Sequence, residues 1–484
     1  MTRMCPPISG LWAVYTHRNC TCNEYVALRN RVIGAVPKPT SAGLKLLKSE
    51  LRTLSYRFPR VSPMTREAFC DHYTGRRKSR YLEAVKSLEE CPLILPKEAM
   101  VRAFVKSEKF NPSAKVNPDP RMIQARSPRF NVEIGLYLKP IEHEIYRLED
   151  EDGFPLIAKG MAPWDRGEAI RRMWNWFARP VAVILDGSRW DQHLSRQIIK
   201  LEHSFYLRSC NDPWFAELLS MQLKNKVVTS GGWRYVVDGN RMSGDMNTAL
   251  GNCVIMILMI RAACRKLGVS VKFLDDGDDI TVVLDERDLE RFLAGIGGQF
   301  LSFGQEVKVE SIARQMEEID FCQSRPVLTN TGGVTMLPNW KKIVSQSTSG
   351  VRYWSEAKTR VDMAYSVGQC LMALYPGMPI VQTYAAKLCS EGSFNRSIMD
   401  TDWMWKVLPT GRVRDLGALG PEPITCETRA SFHRAYGIDA FQQELIERRI
   451  IDWKLPVGSH SLGQVVHGEW EWEHCSCHDP AGWV

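Results

Sequence analysis

The stretch Val271-Lys-Phe-Leu-Asp-Asp-Gly-Asp-Asp-Ile-Thr-Val-Val-Leu284 sets two apolar arms on either side of a turn that holds four aspartates. Arms of this kind pair as strands, and Gly277 supplies the backbone freedom that a tight turn needs. The reading is a β-hairpin with Asp278 and Asp279 projecting from its tip. Adjacent carboxylates repel one another, so a fold that concentrates them is relieved by hard divalent cations, of which Mg²⁺ and Mn²⁺ suit oxygen ligands. On average composition, a Gly-Asp-Asp tripeptide arises by chance in about one chain of this length in ten. Alone it reads as a solvated acidic turn, and the metal reading depends on partners elsewhere in the chain.

Upstream, Arg179-Pro-Val-Ala-Val-Ile-Leu-Asp186 is a continuous apolar run ending in a carboxylate. A run without polar alternation belongs in the middle of a sheet covered on both faces, so Asp186 is expected where a central strand emerges. Asp186, Asp278 and Asp279 then form a set able to hold two Mg²⁺ ions about 3.5–4 Å apart, which would activate an attacking hydroxyl and neutralise a leaving pyrophosphate. The protein would contribute positioning and charge stabilisation. Asp191 lies five residues beyond Asp186, past the strand end. In Ser243-Gly-Asp-Met-Asn-Thr-Ala-Leu-Gly-Asn252, Thr248 and Asn252 share one helix face, with Ser243 in the loop before it. With Asp191 they make a hydrogen-bonding set for a ribose 2′-OH. The bland alternative is that Ser243 and Asp245 cap the helix.

The 484-residue chain is long enough for a large core and about three lobes. Its formal net charge of +8 favours polyanionic partners without naming one. The excess is concentrated between Arg102 and Arg129, where seven basic residues (Arg102, Lys106, Lys109, Lys115, Arg121, Arg126, Arg129) meet two acidic ones, Glu108 and Asp119. Such clustering suits a phosphate-handling surface. No basic, apolar and small-residue leader opens the sequence, so the 14 cysteines are expected as reduced cytosolic thiols. The longest apolar run, Cys253–Ile260, falls short of the roughly 20 residues that span a bilayer, so no transmembrane segment is expected.

Leu44–Leu54 and Tyr81–Leu88 read as short helices, with Tyr73-Thr-Gly-Arg-Arg-Lys-Ser-Arg80 as a basic turn before the second. Ala103–Lys109 reads as a strand leading into a proline-punctuated, extended region. Phe130–Leu148 has helical spacing interrupted at Pro140. Arg196–Lys224 is helical, Val227–Val237 is a hairpin turned at Ser230-Gly-Gly232, and a helix is expected over Asp245–Leu267. Leu289–Phe300 reads as a helix and Glu306–Glu310 as a strand, while Ile319–Gln323 with Pro326–Met336 suggests a further hairpin. From Leu337 onward the pattern is helical and rich in Trp and Leu.

In order, Asp186-x4-Asp191, Ser243-Gly-x3-Thr248-x3-Asn252 and Gly277-Asp-Asp279 resemble motifs A, B and C of viral RNA-dependent RNA polymerases. The wording of Arg241–Asn252, Asp191-Gln-His193, Phe321-Cys-Gln323, Ala103–Lys109, Pro120–Gln124 and Pro128–Asn131 is similar to tombusvirus-like replicases. The likeness runs from about Val14 into the C-terminal third. It implies an α+β right-hand polymerase, with an N-terminal region and fingers over residues 1–180. A palm built on an antiparallel, RRM-like sheet would occupy 181–325, with a fingers insertion around 196–240, and a helical thumb and C-terminal region 326–484.

The resemblance further implies that Asp186, Asp278 and Asp279 hold catalytic Mg²⁺, with Mn²⁺ as a substitute, and that Asp191, Ser243, Thr248 and Asn252 read the ribose. Lys106, Lys109, Arg121 and Arg126 fall in the motif F region, which covers the nucleotide triphosphate. Lys308 matches the basic position of motif D, a candidate general acid, and Phe321–Gln323 would grip the primer or nascent strand. The expected activity is RNA-directed RNA synthesis from NTPs on an RNA template, replicating a positive-strand RNA genome without a protein primer. The expected setting is a membrane-associated replication complex in the host cytoplasm, with other viral replication proteins and with host membranes reached through partners.

Trp190 stands where the family usually carries Phe, and Asp275 and Asp276 stand where many relatives carry neutral residues. Either acid could assist the metals or lie behind them. A reverse transcriptase would share the acidic set, but Asp191 and Asn252 argue for ribose. A silent RNA-binding scaffold is disfavoured by the intact Asp186, Asp278 and Asp279. In His474-Cys-Ser-Cys-His478 the Cys-x-Cys spacing is tighter than usual for zinc, and there and at His17, Cys20 and Cys22 a disordered or simply packed terminus is expected over a zinc site.

Overall fold

The computed structural model describes residues 2–112, 118–350, 354, 356–393 and 419–455. Lys115 and the His474–His478 cluster lie outside the described residues. The strands are, in chain order, β1 (Thr2–Arg3), β2 (Val101–Val105), β3 (Met122–Ala125), β4 (Pro180–Gly187), β5 (Lys224–Thr229), β6 (Arg234–Asp238), β7 (Val271–Asp275), β8 (Asp279–Asp285), β9 (Val307–Ala313), β10 (Ser324–Leu328), β11 (Val334–Pro338) and β12 (Ser349–Gly350). Together with the helices they form a mixed α+β structure. One four-stranded sheet, ordered β7-β8-β4-β9, is antiparallel throughout. A second, ordered β3-β2-β5-β6, contains one parallel pair, β2 with β5.

β4 runs through the interior of the antiparallel sheet, as its apolar run requires. Val181, Val183 and Leu185 pack into the core built on the helix Thr248–Leu267, while Ala182 and Ile184 pack with Phe154, Ile170 and Met173 on the opposite face. Burying each Val, Leu or Ile contributes about 1.5–3 kcal/mol, so β4 is a rigid platform for Asp186. The helix Thr248–Leu267 is long and apolar enough to cross a membrane, but 78% of its apolar window is buried inside the fold. Its apolar character all round reflects helices packed about it, among them Ser41–Arg57, Arg196–Ser209 and Leu289–Ser302.

That helix begins three residues later than expected, at Thr248. Asp245 instead closes a turn, its N–H donating to the Met242 carbonyl at 2.9 Å. The helix Gly75–Glu90 begins earlier than expected, so Arg76, Arg77, Lys78 and Arg80 occupy its first turns and not a loop. The helix Pro128–Ile145 continues through Pro140. Proline removes the N–H that would reach the Leu136 carbonyl, and the Met64 N–H takes that acceptor at 3.0 Å. Ile319–Gln323 is not a strand. Its end is a turn with Cys322 and Gln323 at φ of 53° and 59°, and the hairpin is β10 with β11.

The second sheet brings 101–125 against 224–238, a pairing across more than a hundred residues. Gly244 lies so close to β3 that an added Cβ would sit 2.7 Å from the Gln124 carbonyl oxygen. The C-terminal helices, including Ala357–Leu374, Val381–Glu391, Cys426–Tyr436 and Ala440–Asp452, share one core with Met4 and Ile8. β1 pairs with β12, which anchors the N-terminal strand to this core. The described cysteines are free thiols.

Candidate active site

Strand register assembles the acidic set. Asp186 on β4 lies opposite Asp279 on β8 and, across its other edge, opposite Lys308 on β9. The Gly187 N–H donates to the Asp278 carbonyl at 3.0 Å, which closes the hairpin tip onto the end of β4. Gly277 holds φ at 104°, where an L side chain is strained. A bulge in β9 pairs Leu185 with Val309 and Ile184 with Ser311, leaving Glu310 as the extra residue. Bulges of this kind re-aim side chains beside active sites.

Burial and the charges of Asp278, Asp186 and Glu310 push the Asp279 carboxyl up to about 7. Carboxylates held in mutual repulsion are a donor set that a hard divalent ion would relieve, so the residues fit Mg²⁺ or Mn²⁺. Among the described residues no three or more His, Cys, Asp or Glu side chains stand close enough together to hold a metal ion by themselves. Mg²⁺ is typically bound through one or two carboxylates plus substrate phosphates, so an open set is compatible with it.

The two aspartates whose role the sequence leaves open support the turn. Asp275 is fully buried, accepts the Gly277 N–H at 2.8 Å, and is pushed by burial well above the usual carboxylate range. Asp276 is held by Lys159, by Arg166 at 3.0 Å and by the Cys322 thiol at 3.2 Å. Lys159, Arg166 and Glu310 carry no motif that reading the sequence had singled out.

Beside the tip, the Asn252 amide donates to Asp191 at 3.0 Å, and the Arg241 N–H donates to the Asp191 carbonyl at 2.9 Å. The buried Arg241 guanidinium pairs with buried Glu202, which also accepts from Tyr206 at 2.7 Å and Asn247 at 2.9 Å. Gly251 passes directly beneath this pair, where an added Cβ would lie 2.2 Å from Glu202 Oε1. Burial pushes Asp191 up to about 6, opposed by the Asn252 bond and by Arg241. Arg241 stands inside the quoted motif, yet its pairing with Glu202 was not foreseen.

Ser243 and Thr248 are engaged on backbone carbonyls, Ser243 on Met122 at 2.7 Å and Thr248 on Met242 at 2.9 Å. Each hydroxyl thereby uses its only proton and offers acceptor capacity alone. Neither Ser243 nor Asp245 caps the helix, since Asn247 occupies that position. Trp190 packs so tightly on Gly187 that a Cβ there would lie 2.3 Å from the indole, whose buried N–H finds no partner among the described residues.

The basic cluster divides. Lys106 and Arg121 lie 3.2 and 3.6 Å from Glu108, with the Arg121 side chain 51% exposed. Lys109 donates to the Gln346 carbonyl at 2.7 Å, and burial lowers its amine to about 8. Arg126 departs from expectation. Its side chain is 1% exposed and saturated by Asp245 at 2.7 Å, Asn225 at 2.5 Å and the Ala99 carbonyl at 2.5 Å. It ties the second sheet to the loop before the helix Thr248–Leu267 and is not available to a triphosphate. Arg121 and the unforeseen Arg189 both lie close enough to Arg31, likewise unforeseen, for their charges to act on it. Arg189 falls within the Asp186-x4-Asp191 spacing.

The chain is a mixed α+β structure whose antiparallel sheet sets Asp186 opposite Asp279, an arrangement that accords with the polymerase class. The family described as viral RNA dependent RNA polymerase matches residues 11–458, and the chain belongs to that family. It is 33% identical over 456 residues to the RNA-directed RNA polymerase of Tobacco necrosis virus (strain A), covering 91% of this chain and 62% of that protein. It is 32% identical over 434 residues to that of Turnip crinkle virus (87% and 55% covered) and 36% over 420 residues to that of Melon necrotic spot virus (85% and 52%). The chain thus spans about half to three-fifths of the length of these curated relatives.

Proposed function

We propose that the chain is an RNA-directed RNA polymerase that adds templated ribonucleotides to the 3′-OH of a growing RNA strand. The observation that carries this is the register placing Asp186 opposite both Asp279 and Lys308, with the Asp191–Asn252 pair beside the same tip. In this reading the antiparallel sheet is the palm, over 181–325. The second sheet, built from the N-terminal region and the 224–238 hairpin, belongs to the fingers, and the C-terminal helices after 325 form the thumb.

Mg²⁺ held by Asp186, Asp278 and Asp279 would supply Lewis-acid activation of the 3′-OH and neutralise the pyrophosphate. Arg121 and Lys106 meet the triphosphate, while Asp191, fixed by Asn252, accepts the ribose 2′-OH. Lys308, opposite Asp186 on β9, gives a proton to the leaving group in this reading. The reading extends to replication of a positive-strand genome without a protein primer, with other viral proteins and at host membranes reached through partners.

Purified protein with a homopolymeric RNA, Mg²⁺ and labelled rNTP or dNTP tests the proposal. Synthesis should require rNTP, and Asp278→Ala should abolish it while leaving template binding largely intact. Equal use of dNTP, or undiminished synthesis by the variant, overturns the assignment.

A further inference from the structure

We propose that Asp276 is a positioning residue that ties the turn Phe321–Gln323 to the catalytic tip, with Lys159 as its clamp. The inference rests on the polymerase reading and adds residues to it.

The segment Leu156–Lys159 lies alongside the end of β7. The Asp275 N–H donates to the Leu156 carbonyl at 3.0 Å, and the Ala158 N–H donates to the Asp275 carbonyl at 2.7 Å. This short edge delivers Lys159 to the tip, where its Nζ donates to the Asp276 carbonyl at 2.7 Å and to its carboxylate. Arg166, from the helix Pro163–Trp176, takes the other carboxylate oxygen at 3.0 Å, and the Cys322 thiol donates to that same oxygen at 3.2 Å. The Lys159, Arg166 and Asp276 side chains are 26%, 23% and 12% exposed, so the junction is largely shielded.

Three elements thus meet on one carboxylate one residue before Gly277. A cation on backbone and side chain together fixes both the position and the orientation of residue 276, and so the path of the chain into Asp278 and Asp279. The third element is itself constrained. Cys322 and Gln323 are consecutive non-glycine residues with positive φ, a conformation that persists only where surroundings hold it. Cys322 is held by Asp276, and Gln323 accepts from Lys342 at 2.6 Å on the helix Trp340–Gln346. The turn Phe321–Gln323 is thus strung between the tip and the helix Trp340–Gln346; where it grips the nascent strand, as the family resemblance implies, it couples the seating of that strand to the alignment of the acids.

The test is steady-state synthesis on a primed RNA template with the full chain, measuring kcat, KM for NTP and the Mg²⁺ dependence. Misplacing reacting groups by about 1 Å can lower rate about a hundredfold. Lys159→Met is therefore expected to lower kcat by about ten- to a hundredfold with KM for NTP unchanged, and Lys159→Arg to restore most of it. Lys159→Met/Asp276→Asn should be no worse than the poorer single variant, since both break one junction. Cys322→Ala and Cys322→Ser, which bury no charge, give an arm that does not depend on the fold tolerating a lost cation: Ala should lower kcat on primed templates and Ser should hold it. Wild-type kcat in Lys159→Met, a raised KM for NTP alone, additive losses in the double variant, or equal rates in Cys322→Ala and wild type would each overturn the proposal. Absence of synthesis by wild-type protein would instead overturn the polymerase reading.

Discussion

Arg126→Met separates the structural reading of the basic region from the one that its charge suggests. The substitution keeps an unbranched side chain but removes the guanidinium bonds to Asp245 at 2.7 and 3.2 Å, to Asn225 at 2.5 Å and to the Ala99 carbonyl at 2.5 Å. Asp245, whose side chain is 3% exposed, is then left buried and unpaired. Breaking a buried ion pair from one side costs about 3–5 kcal/mol, which lowers the folding equilibrium constant by a factor on the order of 10²–10⁴. Arg126→Met/Asp245→Leu removes both charges and should regain a large part of the loss. It should not regain all of it, because Asn225 and Ala99 lose their donor at about 1–3 kcal/mol for each acceptor left buried. Urea unfolding of the three proteins at constant m-value measures this, alongside KM for NTP. A single variant of unchanged stability with a raised KM for NTP would refute the structural role and return Arg126 to the triphosphate.

Gly251→Ala should destabilise the protein and weaken rNTP discrimination together, because a Cβ there would lie 2.2 Å from Glu202 Oε1 and 2.4 Å from Arg241 Nη2; thermal melting and the rNTP to dNTP ratio check it. Mg²⁺ should raise the melting temperature of the wild-type protein, and chelation should reverse this, while Asp186→Asn should lose most of the response, since binding to the folded state alone stabilises it. Asp191 titrates near 6 in the fold, above the usual aspartate value of 3.8. The folded state therefore holds the proton more tightly, so its contribution to stability falls as pH rises from about 4 through 6. The proposed 2′-OH acceptor is the carboxylate form, present above that window, so rNTP preference should weaken as pH drops below about 6, and Asp191→Asn should lack that pH dependence.

The fold was legible where local pattern and tertiary demand coincide. The apolar run ending at Asp186 belongs to a strand covered on both faces, and Gly277 between two apolar arms belongs to a hairpin. What local pattern does not carry is the partner of each strand. β2 with β5 is a parallel pair whose halves stand more than a hundred residues apart in the chain, and the bulge at Glu310 is fixed by how β9 meets β4. The Lys159–Asp276 junction was invisible for the same reason, since a lysine in Ala158-Lys-Gly160 has no local signature of what it will touch.

The basic region shows how a signal can be present and still be misread. Charge alone makes Arg121 and Arg126 equivalent, two guanidinium groups five residues apart in one cluster. Strand parity distinguishes them. Along β3 and its continuation, Met122, Gln124 and Arg126 are buried while Ile123 and Ala125 are partly exposed and Arg121 is exposed. Side chains alternate across a strand, so Arg126 shares its face with apolar Met122 and is carried inward, where a lone cation is tolerable only with a carboxylate such as Asp245 beside it. Arg121, of opposite parity, keeps its charge at the surface beside Asp191, where it helps to hold that carboxyl down. One cluster of like charge thus divides, and the alternation of four residues decides which arginine clamps the sheet to the loop before the helix Thr248–Leu267 and which keeps its charge at the surface.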